Sequence, residues 1–457
     1  MEVNSKNNDL ETKPVGRLLL QLAIPAILAQ IVNVLYNIVD RVYIGKMDDG
    51  KIAMAGIGVA FPIIILISAF SSLVGMGGAP LAAIKMGEKN IDGAEKIISN
   101  CFAFLIGLSV ILTIFFMTFK EGILRAFGAS DDTIGYAIEY LGIYLIGTIA
   151  VQIALGMNIF ITTQGFARIA MCSVMIGAVL NIILDPIFIF GFHMGVKGAA
   201  LATIIAQLGS AIWVLSFLFS KKSKLKIRKE YLKIDFRIIG NVLALGVSPF
   251  VMQSTECLVI VVMNRSLKEF SGDTAISLMA VMNSIMQIIF LPCSGLTQGA
   301  QPIISYNYGA NRLDRVKKTF KLLLVCCLGY TTIMWALLLF LPEMFVKMFN
   351  NDIELIAMGS WAIPVFFGGI IVFGAQIACQ QTFLALGNAK VSLVLALLRK
   401  VILLVPLALI IPMFYDTLDG KLHGVFMAEP VADILATLTT VCCFIVFYKK
   451  VLKKESN

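Results

Sequence analysis

Charged residues are scarce in this 457-residue chain: Asp, Glu, Lys and Arg together make up 14%, against roughly 25% in an ordinary soluble domain. A fold with so few could not cover its own surface with polar groups, which excludes a water-soluble globule. Histidine is scarcer still. Only His193 and His423 occur, both expected in loops, and no HExxH, nucleophile elbow or Asp-rich metal run accompanies them; an intramembrane enzyme is therefore not expected. The nine cysteines (Cys101, Cys172, Cys257, Cys293, Cys326, Cys327, Cys379, Cys442 and Cys443) show no CxxC or other ligand spacing. All fall in apolar runs and read as small packing residues, so no zinc or disulfide framework and no cofactor is expected. The opening "MEVNSKNNDLETKPVGR" lacks the apolar core of a cleavable signal peptide, which leaves targeting to the first apolar run.

What the chain has in abundance is hydrocarbon: 59% hydrophobic residues and a mean hydropathy of +0.90. A bilayer core about 30 Å thick is crossed by about 20 apolar residues in a helix. Twelve such runs are found, with approximate limits 18–40, 52–84, 97–119, 133–158, 169–190, 196–219, 239–264, 274–305, 319–341, 355–383, 391–413 and 424–448. The expected fold class is all-α, a polytopic membrane protein with twelve transmembrane helices. A membrane barrel would instead show short alternating segments.

The net charge of +9 invites a nucleic-acid reading, but its distribution argues for a membrane. With the N-terminus placed inside, the inner segments hold 25 Lys and Arg and the outer loops 10, with Arg399 and Lys400 inside a span. That is the positive-inside asymmetry. It predicts both termini on the cytoplasmic side of the membrane, and places "KKSKLKIRKEYLKIDFR" beside anionic lipid, with no nucleic-acid partner.

The same basic run divides the chain into an N-terminal lobe, 1–220, a linker, 221–238, and a C-terminal lobe, 239–457. Pro25 and Arg41 recur as Pro249 and Arg265, 224 residues on; Gly77, Pro80, Gly87, Asp92 and Gly165 recur as Gly299, Pro302, Gly309, Asp314 and Gly387, 222 residues on. A fixed offset over so many punctuating residues marks a duplication. Six spans per half make the repeat parallel, the arrangement in which one half can rock against the other around a mid-membrane site. The paired segments "GGAPLAAIKMGEKNID" and "QGAQPIISYNYGANRLD" read as hinge and packing elements, their prolines interrupting the helical ladder and their small residues admitting close neighbours.

"LNIILDPIFIF", residues 180–190, sets an amide and a carboxylate in the middle of an apolar run. A central Asp costs roughly 2.5–3.5 kcal/mol to insert, whereas an interhelical hydrogen bond returns only about 0.6 kcal/mol. Residues four apart share a helix face. Tyr36 and Asp40 therefore stack on span 1, Asn181 and Asp185 on span 5, and Thr203 and Gln207 on span 6, with Tyr140 and Asn158 on span 4. Such a set of oxygens, two of them carboxylates, suits a small hard cation or a shared proton, so Asp40, Asn181, Asp185, Tyr36, Tyr140, Asn158 and Thr203 are candidate cation-coupling residues. Asp40, Asn181 and Asp185 are the metal ligands if the cation is Na⁺. The second half places an Asn at the position of Asp40 and apolar residues at those of Asn181 and Asp185. Its own polar groups, Glu256, Gln298, Gln301, Gln376, Glu429, Asp433 and Arg399, are candidate substrate-binding residues.

"NIILDPIFIFG" followed by "GVKGAALAT", and "QGAQPIISYNYGA" in the second half, resemble the multidrug and toxic compound extrusion (MATE) family, and within it the MepA-like bacterial branch. The resemblance covers essentially the whole chain. It implies a V-shaped pair of six-helix lobes, monomeric, exporting cationic lipophilic compounds in exchange for H⁺ or Na⁺. Asp40, Asn181 and Asp185 match its first-lobe cation positions, with Tyr36, Tyr140, Asn158 and Thr203 around them. Glu256 matches an acid of another branch, whose partner aspartate on span 10 falls on Ala375 here. The alternative expectation within transport is a lipid-linked oligosaccharide flippase, which would line its cavity with several Arg and Lys.

Overall fold

The computed structural model describes residues 9–47, 49–349 and 352–452. Both ends of the chain, and the side chains of Cys257, Asn264 and Arg265 named above, lie outside the described residues. Helices make up nearly all of it, and no strand occurs among the described residues. The membrane-length helices are α1 (Val15–Gly45), α2 (Gly50–Gly87), α3 (Ile91–Ala126), α4 (Asp131–Ile146 with Thr148–Thr163), α5 (Ala167–Gly191), α6 (Val196–Leu218), α7 (Phe236–Glu256), α8 (Ser277–Gly309), α9 (Leu313–Phe340), α10 (Ile353–Phe366 with Ile370–Ala385), α11 (Ala389–Phe414) and α12 (Leu418–Val451). Among the described residues ten are long and apolar enough alone; α4 and α10 are bent pairs that make twelve. Their outer faces carry rows such as Ile111, Ile114, Phe115 and Phe119 on α3, 49–64% exposed. Such a row would be an aggregation patch in water and is ordinary lipid contact in a bilayer.

Spans 7 and 8 depart from the sequence reading, which placed a loop between 264 and 274. Residues Phe236–Gly309 are helical throughout. Laid straight, those 74 residues would reach about 110 Å at the helical rise. Yet a Cβ on Gly246 would strike the backbone of Leu73, and one on Gly309 that of Ile84. Both ends rest on α2, so the path doubles back between α7 and α8. The prolines of the two expected hinge segments, Pro80 and Pro302, lie inside continuous helices.

The repeat is visible in backbone detail that composition alone does not carry. The bends of α4 and α10, 62° and 48°, fall at Gly147 and around Gly369, positions 222 apart. Gly165 and Gly387 both take the left-handed conformation (φ +92° and +75°), as do Lys89 and Asn311 (φ +62° and +55°). At the two glycines this costs nothing, because no Cβ meets the following carbonyl.

The halves meet along a seam of bare backbone. A Cβ on Gly77 would lie 2.1 Å from the Val242 carbonyl oxygen, one on Gly87 2.0 Å from that of Tyr306, and one on Gly299 2.6 Å from the Ala23 nitrogen. Only residues without side chains allow helices so close. Farther along, Ser72 meets Gln253 at 2.9 Å and Phe70 meets Phe250, 4.9 Å between rings.

Two straps cross the seam at its basic end, and each lead-in segment docks on the opposite half. Ahead of α1, Leu10 is fully buried, with its carbonyl accepting from Asn307 and Arg315, both at 3.1 Å. Arg315 also donates to the Lys13 carbonyl at 2.8 Å and to Asn307 Oδ1 at 2.9 Å. Ahead of α7, the basic linker is no free loop: Leu225 is buried, Gln164 accepts from the backbone N–H groups of Lys224 (2.7 Å) and Leu225 (3.0 Å), and Asn100 Oδ1 accepts from Asp235 N at 2.6 Å. Arg228 pairs with Glu95 at 2.5 Å. Arg315→Ala strips three bonds and leaves the Lys13 carbonyl and the buried Asn307 Oδ1 without that donor, while the Leu10 carbonyl keeps only Asn307; an unsatisfied buried acceptor costs about 1–3 kcal/mol. A loss of about 2–4 kcal/mol is expected, read as a lower Tm in detergent; an unchanged Tm would show the strap to be loosely held.

Candidate functional site

Helix geometry brings the first-lobe residues together much as their spacing predicts. On α5, Asn181 Nδ2 donates to Asp185 Oδ1 at 3.2 Å, the i, i+4 pairing, and reaches Thr203 Oγ1 on α6 at 3.5 Å. Thr203 in turn donates to the Ala199 carbonyl at 3.0 Å. Pro186 closes the regular part of α5 and residues Ile187–Gly191 wind as a π-helix, where the tight approach of Gly198 on α6 holds the wide turn against its neighbour. Asp185 is fully buried, and Asn181 nearly so.

Opposite stands Asp40 on α1, half-buried, with its carboxyl within hydrogen-bond reach of Asp185. Tyr36, one turn before it, and Tyr140 on α4 both lie in its electrostatic reach, and Tyr140 also reaches Thr203. Tyr140 is buried and stacks on Tyr144 at 6.3 Å. Arg41 is drawn toward the Phe61 ring, 5.1 Å from its centroid. Three buried oxygens at this place, Asp40 Oδ1, Asp185 Oδ2 and Asn181 Oδ1, have no donor among the described residues. Two ionised carboxylates about 4 Å apart repel by about 4 kcal/mol at an effective dielectric of 20. A cluster rich in acceptors and short of donors is complete when it holds a proton or a small cation.

Asn158 is placed apart from this cluster. Its amide donates to the Ala170 carbonyl at 3.2 Å, eleven residues before Asn181 on α5 and so about 16 Å along the helix. Its Oδ1 is also buried without a donor.

The second lobe answers with ion pairs. Arg399 on α11 donates through Nε to Asp433 Oδ1 at 2.6 Å and through a terminal nitrogen to Glu429 Oε1 at 2.9 Å, both on α12, and its guanidinium lies 4.5 Å from the Phe373 ring centroid. Lys400, the next residue, bonds Glu256 on α7. Consecutive residues on an α-helix point about 100° apart. Here Leu398–Leu404 forms a π-helix, and Arg399 and Lys400 are both buried, 8% and 9% exposed. Lys400 is the site residue that sequence reasoning missed, its only signal being its place beside Arg399 inside a span. Gln376 meets Thr437, one turn from Asp433, at 3.5 Å. Gln298 and Gln301 lie elsewhere, on α8 beside the seam, the first bonded to Ser294 at 3.2 Å and the second with a buried amide nitrogen that has no partner among the described residues.

Comparison with known proteins agrees with this geometry. The family model described as MatE matches the chain twice, over residues 25–187 and 249–410. The chain is 24% identical to a multidrug export protein MepA of Staphylococcus haemolyticus over 93% of each chain, and 23% identical to one of Staphylococcus aureus over 94% of each. It superimposes with a TM-score of 0.88, at 21% identity, on a solved structure described as the outward-facing conformation of a multidrug resistance MATE family transporter, covering 99% of this chain and all of that one.

Proposed function

The chain belongs to the MatE family, whose members are membrane transporters and not enzymes, and from that premise we propose that it is an antiporter exporting cationic, lipophilic compounds in exchange for H⁺ or Na⁺. The observation that carries the reading is the facing pair Asp40 and Asp185, with three buried acceptor oxygens lacking donors. Opened toward the outer side, the pair takes up the cation, drawn by its gradient and by the membrane potential at about 2.3 kcal/mol per charge per 100 mV. Neutralised, Asp40 no longer repels Asp185, α1 repacks, and the compound leaves. Opening inward releases the cation, and the compound enters again from the cytoplasm or inner leaflet.

The localisation that fits is a bacterial inner membrane with both termini cytoplasmic and the docked linker facing anionic lipid; the unit that fits is a monomer. A flippase for a pyrophosphate-linked lipid is less well supported, because the adjacent buried basic pair of α11, Arg399 and Lys400, is already engaged by carboxylates. The test is ethidium export from proteoliposomes with proton and sodium gradients imposed separately. Accumulation against its gradient under one of the two is expected. Movement that only equilibrates ethidium under both would overturn the antiport reading.

A further inference from the structure

The charges of the second lobe do not balance. Glu256, Glu429 and Asp433 interact as one cluster with Arg399 and Lys400, three acids against two bases, so the set is short of one cation or one proton. The two bases are held differently. Arg399 is fixed on both sides, by Glu429 and Asp433, and lies on Phe373. Lys400 has one carboxylate partner at bonding distance, Glu256, whose side chain is 49% exposed. Glu256 stands on α7 six residues past Phe250, about 9 Å beyond the Phe70–Phe250 ring contact between the halves. Glu429 is close enough to Lys400 to feel its charge, and Asp433 Oδ2 is buried with no hydrogen-bond partner among the described residues. A lysine is a compact charge on a flexible stem, and here that stem springs from a π-helical turn, a wide winding that is often found at functional positions.

We propose that Lys400 is a tethered competitor for Glu256: in the empty carrier it neutralises that carboxylate, and a cationic substrate entering between the halves displaces it toward Glu429 and Asp433. The arrangement makes Glu256 and Lys400 the pair that selects for positive charge. A cation gains a carboxylate and leaves Lys400 with an acceptor on the other side. A neutral molecule of the same shape must leave the pair intact and gains nothing from it. An anion meets three carboxyl groups whose two basic neighbours are already engaged. The inference rests on the reading that the substrate is cationic, and it is independent of how the first lobe couples to H⁺ or Na⁺.

The test is equilibrium binding of ethidium, a fixed monocation, to the purified full-length chain, followed by fluorescence anisotropy without any ion gradient. Removing the competitor in Lys400→Met is expected to lower Kd about tenfold, and removing its target in Glu256→Gln to raise Kd about tenfold or more. Lys400→Arg, which keeps the charge, should not tighten binding, and the double variant should bind no more tightly than Glu256→Gln alone, since Lys400 acts only through that carboxylate. If Lys400→Met does not assemble, Glu256→Gln carries the test, and an unchanged Kd there overturns the proposal. So does a Lys400→Met protein that binds ethidium no better than the parent. Parent and variants are compared at one fixed pH and sodium concentration with no gradient, so a failure of the coupling reading would appear in gradient-driven transport and leave these Kd ratios where they are.

Discussion

Asp40→Asn is expected to reduce ethidium export to the level of protein-free vesicles while the protein folds and inserts normally. The amide keeps the shape of the carboxyl, so packing between α1 and α5 is preserved. It cannot bind a proton in the working range and offers a cation one neutral oxygen in place of a charged carboxylate. Because one of two facing charges is gone, stability should hold or rise by something of order 1 kcal/mol. The combination matters: a fall in Tm together with lost export would indicate a structural carboxylate, whereas a preserved Tm with lost export indicates a working one. Asp185→Asn should behave alike, and the double variant should be no worse than either, since each acid is useful only with the other.

The second large effect lies in the other lobe and has the opposite character. Arg399→Met leaves Glu429 and Asp433 facing one another where both are nearly inaccessible, 6% and 1% exposed. Breaking a buried ion pair by removing one partner costs about 3–5 kcal/mol, because the remaining charge is left uncompensated. A protein with that deficit should accumulate poorly and unfold at a markedly lower temperature. Replacing the acids as well, in Arg399→Met with Glu429→Gln and Asp433→Asn, should recover most of the loss, since a set of buried charges is replaced by neutral groups. A single variant as stable as the parent would mean that water reaches these carboxylates. The two lobes thus use buried acids in different ways: in the first they face each other, each with one oxygen that has no donor among the described residues, and in the second they are held by a resident arginine.

Much of this was legible in the sequence because a bilayer leaves few alternatives. Backbone groups in hydrocarbon must be bonded within the helix, so run length alone located the spans, and the 222-residue offset announced the duplication. The pairing of Asn181 with Asp185, and their meeting with Thr203, Tyr140, Tyr36 and Asp40, followed from the i, i+4 rule and the cost of an acid in oil. The rest depended on departures from regular geometry. Arg399 and Lys400 are both buried and both reach acids from a π-helical turn, a winding that no 100° periodicity foretells. Asn158 has the right chemistry and a plausible span, but its height on α4 puts its amide against Ala170. The continuous helicity of Phe236–Gly309 and the reciprocal docking of the two lead-in segments are tertiary facts. Their residues, Leu10, Arg315 and Asn100 among them, look like ordinary loop and helix-end positions until the partner half is in place.

At the centre of the account stands the exchange of one cation for another at buried acids, and reciprocity between the two ligands follows from it: whatever ethidium does to cation affinity, the cation must do to ethidium. The direct measurement is ion release on binding, made by adding ethidium to the purified protein in weakly buffered solution while following pH with an indicator dye and sodium with a selective electrode. Release of H⁺ or of Na⁺ in near-stoichiometric amount is expected, and its disappearance in Asp40→Asn and in Asp185→Asn. Saturating ethidium binding that releases neither ion, or a release undiminished in both variants, would contradict it.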